Sequence, residues 1–306
     1  MIAPEDKPRL DPVLARELHR AEHGRHYARL ACFVILYGCS ASAAWCLSSI
    51  TWLAALPFYV CAAASLHGIS LFTHEAVHGT LAKNKPWNAV LGALCAMPVL
   101  QNCSAYTVLH LRHHAHLGEE RDPDHYAAYT RWTWLIFIMN WLRLIVGYPI
   151  YIVAIPILGF KHGNGRERTG ILVEMGATSL LIICVLHFPL PAGLLIHGWV
   201  IPMFVINFMV NIRGMSQHTL LIETSDEVRG TRSILTSRLV AFFMCNENYH
   251  LEHHLYPAVP WYHLPQVHQA LRGELVERGA PFISSYSAFV REFIIKSVKR
   301  SPLGRH

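Results

Sequence analysis

Charged residues are scarce in this chain. Of its 306 residues, 15% are charged and 53% are hydrophobic, whereas a soluble domain carries about 25% charged residues. This shortfall argues against an ordinary soluble protein and indicates a membrane protein. The 26 basic residues outnumber the 20 acidic ones, but no basic stripe carries the interleaved aromatic side chains that stack on nucleic-acid bases. We therefore expect a membrane and no nucleic acid among the partners.

The chain also lacks cysteine motifs and a signal peptide. Its eight cysteines form no C-x-x-C pair and lie mostly inside apolar stretches, so we interpret them as small buried hydrophobic residues. The segment before Leu30 is long and charged, unlike the short cationic start and apolar core of a secretory signal. We expect the N-terminus to stay attached and to lie in the cytoplasm.

Four apolar runs are long enough to cross a bilayer, since a spanning helix needs about 20 residues. We predict spans over residues 30–49, 52–72, 171–188 and 190–212, paired in two hairpins. Residues 86–104 and 132–160 are apolar but contain polar residues and prolines, and a single crossing by either would separate flanks that we place on the cytoplasmic side. We therefore interpret the first as re-entrant or interfacial and the second as interfacial helices. Both termini then lie in the cytoplasm, and the external loops carry no Lys or Arg.

The predicted fold is an all-α membrane protein with four transmembrane helices in two hairpins, interfacial helices and a cytosolic helical cap. We treat residues 1–306 as a single domain, with the cytosolic C-terminal part over 213–306. Shorter patterns predict helices over residues 11–29, 265–278 and 286–299. In a bacterium the membrane would be the plasma membrane.

Histidine is abundant, with 21 copies, and it is clustered in the motifs HEAVH, HLRHH and HLEHH. On a helix, residues three or four apart share one face, and imidazole binds zinc, copper, iron and nickel. The predicted spans place all three motifs on the cytoplasmic side, with one more histidine after the last span. The nine candidate ligands are His74, His78, His110, His113, His114, His218, His250, His253 and His254. One ion offers about four to six positions, so nine imidazoles predict two metals held by the cytosolic cap.

These motifs, in this order and flanked by two hydrophobic hairpins, resemble the integral-membrane fatty acid desaturase and hydroxylase superfamily. The tail NYHLEHHLYPAVPWYHLP is similar to the acyl-lipid and acyl-CoA desaturases in particular. The resemblance covers residues 66–268 and implies a non-haem di-iron centre that activates O₂ and removes hydrogen from an unactivated C–H bond. It implies that the eight motif histidines are iron ligands. The family has a further ligand histidine before the third motif, and His218 occupies that region.

Metal-bound imidazoles need an acceptor for their other nitrogen. Among several acidic residues near the motifs, the sequence favours Glu75 and Glu252, which lie inside two of them. Asn211 is a third candidate, because some relatives contact the metal from such an asparagine through water. No catalytic residue separate from the metal ligands is predicted.

The leading functional hypothesis is a fatty acid desaturase that acts on a lipid acyl chain and reduces O₂ to water. A hydroxylase or ketolase of a lipid or carotenoid is the alternative on the same scaffold. A metal transporter or sensor is a remote alternative, because transporters bind ions near the bilayer midplane. The substrate, the double-bond position and the stereochemistry stay open.

Electrons are expected from a separate protein, because no haem or iron–sulfur cysteine pattern is present. The predicted donor is a ferredoxin, a rubredoxin or a cytochrome b5-like protein. The basic segments 161–168 and 291–305 are candidate docking sites for an acidic carrier, and binding to anionic lipid is the equal alternative.

Overall fold

The computed structural model of the chain describes residues 7–221 and 225–299, and this part is mostly helical. The helices, in chain order, are α1 (Pro12–Leu18), α2 (His23–Ser48), α3 (Trp52–Val77), α4 (Lys85–Ala96), α5 (Cys103–Ala115), α6 (Thr133–His162), α7 (Gly165–His187), α8 (Ala192–Leu195), α9 (Ile201–His218), α10 (Arg238–Phe243), α11 (His250–Leu255), α12 (Leu264–Glu277) and α13 (Tyr286–Lys299). A π-helical turn, Ile196–Val200, joins α8 to α9. Two short strands, β1 (Ser233–Ile234) and β2 (Phe282–Ile283), pair in parallel.

Five stretches of the described chain are helical, long and apolar enough to cross a membrane. They are α2, α3, α6, α7 and the run Ala192–His218. Four of them coincide with the predicted spans, and the fifth, α6, does not. The prediction of interfacial helices over residues 132–160 is not confirmed, because α6 is one 30-residue helix. A bend of 103° separates Lys85–Val99 from α5, so residues 86–104 form no straight span, and counting this pair as one span gives six. The four-span count is therefore not confirmed.

Helix α6 contains two prolines and a kink. A proline inside a helix removes one backbone hydrogen bond and clashes with the preceding turn, and α6 contains Pro149 and Pro156. The helix kinks at Val146, whose φ of −133° is not helical. It nevertheless continues beyond the kink to His162.

Two asparagine side chains of α9 contact backbone groups that have lost their helical hydrogen-bond partners at the kink. In a regular helix the N–H of Tyr148 would donate to the carbonyl of Leu144. Here Tyr148 N–H donates to Asn207 Oδ1 at 3.1 Å, and Asn211 Nδ2 lies 3.5 Å from the Leu144 carbonyl oxygen. Such replacement partners let a kinked helix persist in an apolar environment. They come from a distant part of the chain, which is why the pattern of residues 132–160 alone did not reveal one long helix.

The chain divides into two compact units. The first comprises Met1–Ala21, His110–Gly147 and Asn211–His306, and the second comprises Glu22–Leu109 and Tyr148–Val210. The single domain expected from the sequence stays a prediction. The end of the basic segment 291–305, from residue 300 onward, lies outside the described residues.

The second unit contains the larger share of the apolar helices. Gly68 of α3 packs directly on the ring of Phe33 of α2, where a Cβ would lie 2.5 Å from a ring carbon. Many large apolar side chains on these helices are exposed, among them Val173 at 65% and Phe204 at 67%. An exposed apolar surface of this extent is typical of a helix that faces lipid.

Glu174, an acidic residue in the apolar helix α7, caps the N-terminus of α5. Its carboxylate accepts hydrogen bonds from the backbone N–H of Ser104 at 3.1 Å and from Ser104 Oγ at 2.5 Å. Asn102 Oδ1 accepts from the N–H of Ala105 at 2.8 Å. The first N–H groups of a helix have no partner inside the helix, so these contacts fix the start of the helix that carries HLRHH.

In the first unit, α11 and α12 pack around one apolar cluster, and α13 packs in another. Leu251, Leu264, Val267, Leu271 and Leu275 are buried together with residues of the N-terminal segment. The predicted helices over 265–278 and 286–299 are confirmed as α12 and α13, and α12 ends before Gly279, whose φ is +77°. The helix predicted over 11–29 is instead the short α1, capped by Asp11, followed by the start of α2.

Candidate metal centre

Four histidines of the first unit converge at one point. They are His113 of α5, His218 of α9, and His250 and His254 of α11, and one ring nitrogen from each lies within 4.8 Å of the others. His250 Nε2 lies 3.1 Å from the Nε2 atoms of both His218 and His254. Nitrogens bound about 2.0–2.1 Å from one tetrahedral metal ion lie roughly 3.3 Å apart. The spacing of these imidazoles therefore fits a shared metal ion.

Hydrogen bonds fix which nitrogen of two of these rings carries the proton. His113 Nδ1 donates to Asp122 Oδ1 at 2.9 Å, and His218 Nδ1 donates to the backbone oxygen of Gly230 at 2.9 Å. A neutral imidazole that donates from Nδ1 keeps its lone pair on Nε2. In His218, this is the nitrogen that faces the cluster. When neutral, each ring therefore has an Nε2 lone pair available for a metal ion, with an acceptor on its other nitrogen.

Asp122 lies in the turn after α5, where its buried carboxylate accepts hydrogen bonds. It is 2% exposed and also accepts from the backbone N–H groups of Gly118 at 2.8 Å and Asp124 at 2.9 Å. Burial alone would raise the pKa of its carboxyl, but the hydrogen bond from His113 and those from the backbone outweigh burial and hold the pKa below its usual range. Asp122 is therefore ionised at neutral pH and keeps both oxygens as acceptors.

His254 occupies the middle of the cluster. Burial lowers its pKa well below the usual value, and the neighbouring imidazoles of His114, His250, His218 and His113 lower it further. The ring is therefore neutral at neutral pH. A neutral ring keeps a lone pair for a metal ion, and a protonated one does not.

His110, His114 and His253 form a second group in the first unit. His114 Nε2 lies 3.0 Å from His110 Nε2 and 3.1 Å from His253 Nε2. The ring of His114 also stacks on that of His254, with centroids 4.3 Å apart. Seven imidazoles thus adjoin in two groups, which is more than the ligands of one tetrahedral ion.

His74 and His78, of the motif HEAVH, lie at the end of α3 in the second unit. Their ring centroids are 4.9 Å apart. Glu75, between them, is buried and accepts a hydrogen bond from Thr80 Oγ1 at 2.7 Å. The structure brings His74 and His78 next to each other. Their assignment as metal ligands stays a prediction from the sequence.

The predicted supporting residues have the following partners. Glu252 bonds to His268 and Ser233, Glu75 bonds to Thr80, and Asn211 reaches the α6 kink. Asp122, which contacts His113, was one of several acidic residues near the motifs that the sequence did not rank. It lies in an irregular turn, so no helical spacing marks it.

The donor set selects a class of metal. Seven imidazoles and no carboxylate make up the two groups of the first unit, whereas Mg²⁺ and Ca²⁺ prefer oxygen ligands. Imidazole sets suit zinc, copper, iron or nickel. The residues present therefore fit a transition metal such as iron.

Comparison with known proteins identifies relatives of the chain. The family model described as fatty acid desaturase matches residues 50–286. The chain is 29% identical over 226 residues to the dihydrorhizobitoxine desaturase of Bradyrhizobium elkanii, covering 64% of this chain and 61% of that protein. It is 28% identical over 246 residues to a fatty acid desaturase of Bacillus subtilis (strain 168), covering 72% and 69%. It is also 28% identical over 220 residues to the zeaxanthin 4-ketolase of Chlamydomonas reinhardtii, covering 69% and 44%.

The matches differ in extent and in the chemistry that the relatives' names state. The matched region spans less than two thirds of the dihydrorhizobitoxine desaturase and less than half of the zeaxanthin 4-ketolase. Both desaturases and ketolases are among the relatives, so similarity alone does not select one reaction.

Proposed function

Because the chain belongs to the fatty acid desaturase family, we propose that it is an O₂-dependent membrane oxidoreductase that introduces a double bond into a lipid acyl chain. The observation that carries the proposal is the cluster of seven imidazoles in the first unit, in two adjoining groups. The proposed resident group is a pair of iron ions, with O₂ as co-substrate. The helices that are long and apolar enough to cross a membrane support a substrate that resides in lipid.

Iron supplies the oxidising power that removal of hydrogen from an unactivated C–H bond needs, which redox-inactive zinc lacks. His113, His218, His250 and His254 are proposed to hold one ion, and His110, His114 and His253 to hold the other. His74 and His78 enter the proposal through the family motif alone.

The surrounding residues prepare these imidazoles for metal binding. Asp122 and the Gly230 carbonyl keep the Nδ1 protons of His113 and His218 in place, so that each ring offers Nε2. The burial of His113, His250 and His254 keeps water away from the ligand atoms. Buried, preset ligands need little reorganisation when they bind a metal.

Oxygen insertion into a carotenoid or lipid is the second candidate function. The match to zeaxanthin 4-ketolase favours it, because 69% of this chain aligns with that relative. The two reactions differ in where the reacting carbon lies relative to the metal.

We further propose that both termini and the metal site face the cytoplasm. Four helices then cross the membrane as predicted from the sequence, and α6, although long enough to cross, lies at the membrane interface. A separate ferredoxin, rubredoxin or cytochrome b5-like protein is the proposed electron donor. Exposed Lys161, Arg166 and Arg168, around the junction of α6 and α7, support docking of an acidic carrier there.

Lipid profiling tests the proposed reaction. The chain and its His253→Ala variant are expressed in the same host, and lipids and carotenoids are compared by mass spectrometry. The proposal predicts a new acyl product that is two hydrogens lighter and that disappears with His253→Ala. A product that gains oxygen would support the second candidate instead. Unchanged lipids and carotenoids would contradict both.

A further inference from the structure

The helix α11 carries three of the seven clustered imidazoles on only six residues. Isolated helices shorter than about 12 residues are marginal in water, so α11 cannot set its own orientation. The contacts that hold α11 in the first unit therefore decide where His250, His253 and His254 point.

Glu252, in the middle of α11, is 0% exposed. Its Oε2 accepts a hydrogen bond from Ser233 Oγ at 2.5 Å, and its Oε1 accepts one from His268 Nδ1 at 2.5 Å. At two residues beyond His250 and two before His254, it projects from the side of the helix opposite to the clustered imidazoles. Burying a carboxylate is costly unless it is hydrogen-bonded, and here both oxygens are.

Ser233 of β1 joins Glu252 to the start of the helix. Its Oγ also accepts from the backbone N–H of Leu251 at 3.1 Å, one of the N–H groups that a helix leaves without an internal partner. The next strand residue, Ile234, exchanges two hydrogen bonds with Asn248: its N–H donates to the Asn248 carbonyl at 2.8 Å, and its carbonyl accepts from Asn248 Nδ2 at 2.9 Å. The segment that leads into α11 is therefore hydrogen-bonded to β1.

His268 of α12 holds the other oxygen of Glu252. Its ring lies between two aromatic rings, with its centroid 5.0 Å from that of Tyr249 and 5.4 Å from that of Phe282. Phe282 is the β2 residue that pairs with Ser233 in the parallel ladder. The contacts thus form a closed circuit through β1, α11, α12 and β2.

We infer that Ser233, Glu252 and His268 are positioning residues that orient α11 and thereby aim His250, His253 and His254 at the metal ions. The inference rests on the proposed function only in taking these imidazoles as metal ligands. It gives Glu252 a different task from the one expected from the sequence, because Glu252 acts through the backbone of α11 and through α12. His268 and Ser233, which lie outside the histidine motifs, become part of the metal centre's support.

Binding of Co²⁺ tests the inference without turnover, because Co²⁺ reports its ligand geometry in its visible absorption spectrum. The detergent-solubilised full chain is compared with His268→Leu and Glu252→Leu, which remove the bonds while keeping an apolar side chain. His268→Gln retains a donor for the carboxylate. The matched control is His263→Leu, since His263 is as buried as His268, at 8%, and bonds to Gln266 in its own segment.

The inference predicts that His268→Leu and Glu252→Leu weaken Co²⁺ binding by about 10- to 100-fold, the usual effect of losing an outer partner of a metal site, and alter the spectrum. His268→Gln should recover part of the affinity, and His263→Leu should leave affinity and spectrum unchanged. If the leucine variants fail to fold, Ser233→Ala, which removes one hydroxyl, is measured instead. Its Co²⁺ affinity should fall by a smaller factor.

Unchanged affinity and spectrum in His268→Leu, or in Ser233→Ala where the leucine variants do not fold, would overturn the inference. An equal loss in His263→Leu would also overturn it, because general loss of packing would then explain the result. A wild-type chain that binds Co²⁺ but forms no double bond would contradict the proposed function and leave this inference standing.

Discussion

His113 and His218 each donate a proton from Nδ1 to a fixed oxygen, that of the Asp122 carboxylate and that of the Gly230 backbone. The spacing of the histidine motifs predicted which histidines would cluster, because helical periodicity places residues three and four apart on one face. It did not single out Asp122, whose contact depends on an irregular turn. At the level of single residues, therefore, seven of the nine predicted ligands come together in the first unit as the pattern indicated, while their supporting acceptors required the structure.

Replacing Asp122 tests its role as the hydrogen-bond acceptor for His113. In Asp122→Ala the Nδ1 proton of His113 loses its buried acceptor, and we expect metal affinity to fall about 10- to 100-fold, measured by competition with a chelator. Asp122→Asn should lose less, because its amide oxygen can still accept. Asp124→Asn is the control, since Asp124 is exposed. If Asp122→Ala binds metal as tightly as the wild type, the assigned role is wrong.

Helices α5 and α6 show what a local pattern can and cannot predict. The positions of α12 and α13 were predicted from the sequence of those segments alone. The continuity of α6 depends on Asn207 and Asn211 of another helix, and the start of α5 depends on Glu174 of α7. Such partners are distant in sequence, so the pattern of residues 132–160 alone did not predict one continuous kinked helix.

Removing the cap of α5 should destabilise the protein. Glu174→Ala leaves the N–H of Ser104 without its acceptor, and loss of such a cap costs about 1 kcal/mol. We expect the midpoint of thermal unfolding in detergent to fall by about 1–2 °C, because the shift for a given loss of stability becomes smaller as a chain becomes longer. Ser104→Ala should lower it less, because the backbone bond to Glu174 is kept. An unchanged midpoint in Glu174→Ala would contradict the capping role.

The whole molecule combines apolar helices, long enough to cross a membrane, with a polar C-terminal part. Composition alone predicted this character, since the shortage of charge and the length of the apolar runs are properties of the sequence. The number of crossings was less predictable. Polar residues and prolines inside residues 132–160 made that segment look interfacial, yet it forms a helix long enough to span.

Charge reversal at the α6–α7 junction tests the proposed docking of the electron donor. Because Lys161 and Arg166 are exposed, replacing both with Glu should slow turnover with an acidic donor, most strongly at low ionic strength where surface charges are least screened. Metal content should not change. The matched control replaces Arg16 and Arg20, exposed residues near α1, with Glu. Equal slowing in the control, or loss of metal in the junction variant, would count against docking at the junction.

The iron content of the purified chain tests the central claim most directly. Protein produced with adequate iron and washed free of loosely bound metal is analysed for metal per chain by mass spectrometry. The two adjoining groups of imidazoles predict about two irons per chain, because one ion offers about four to six positions. A stable content of one metal ion per chain, or a preference for zinc over iron, would contradict the claim.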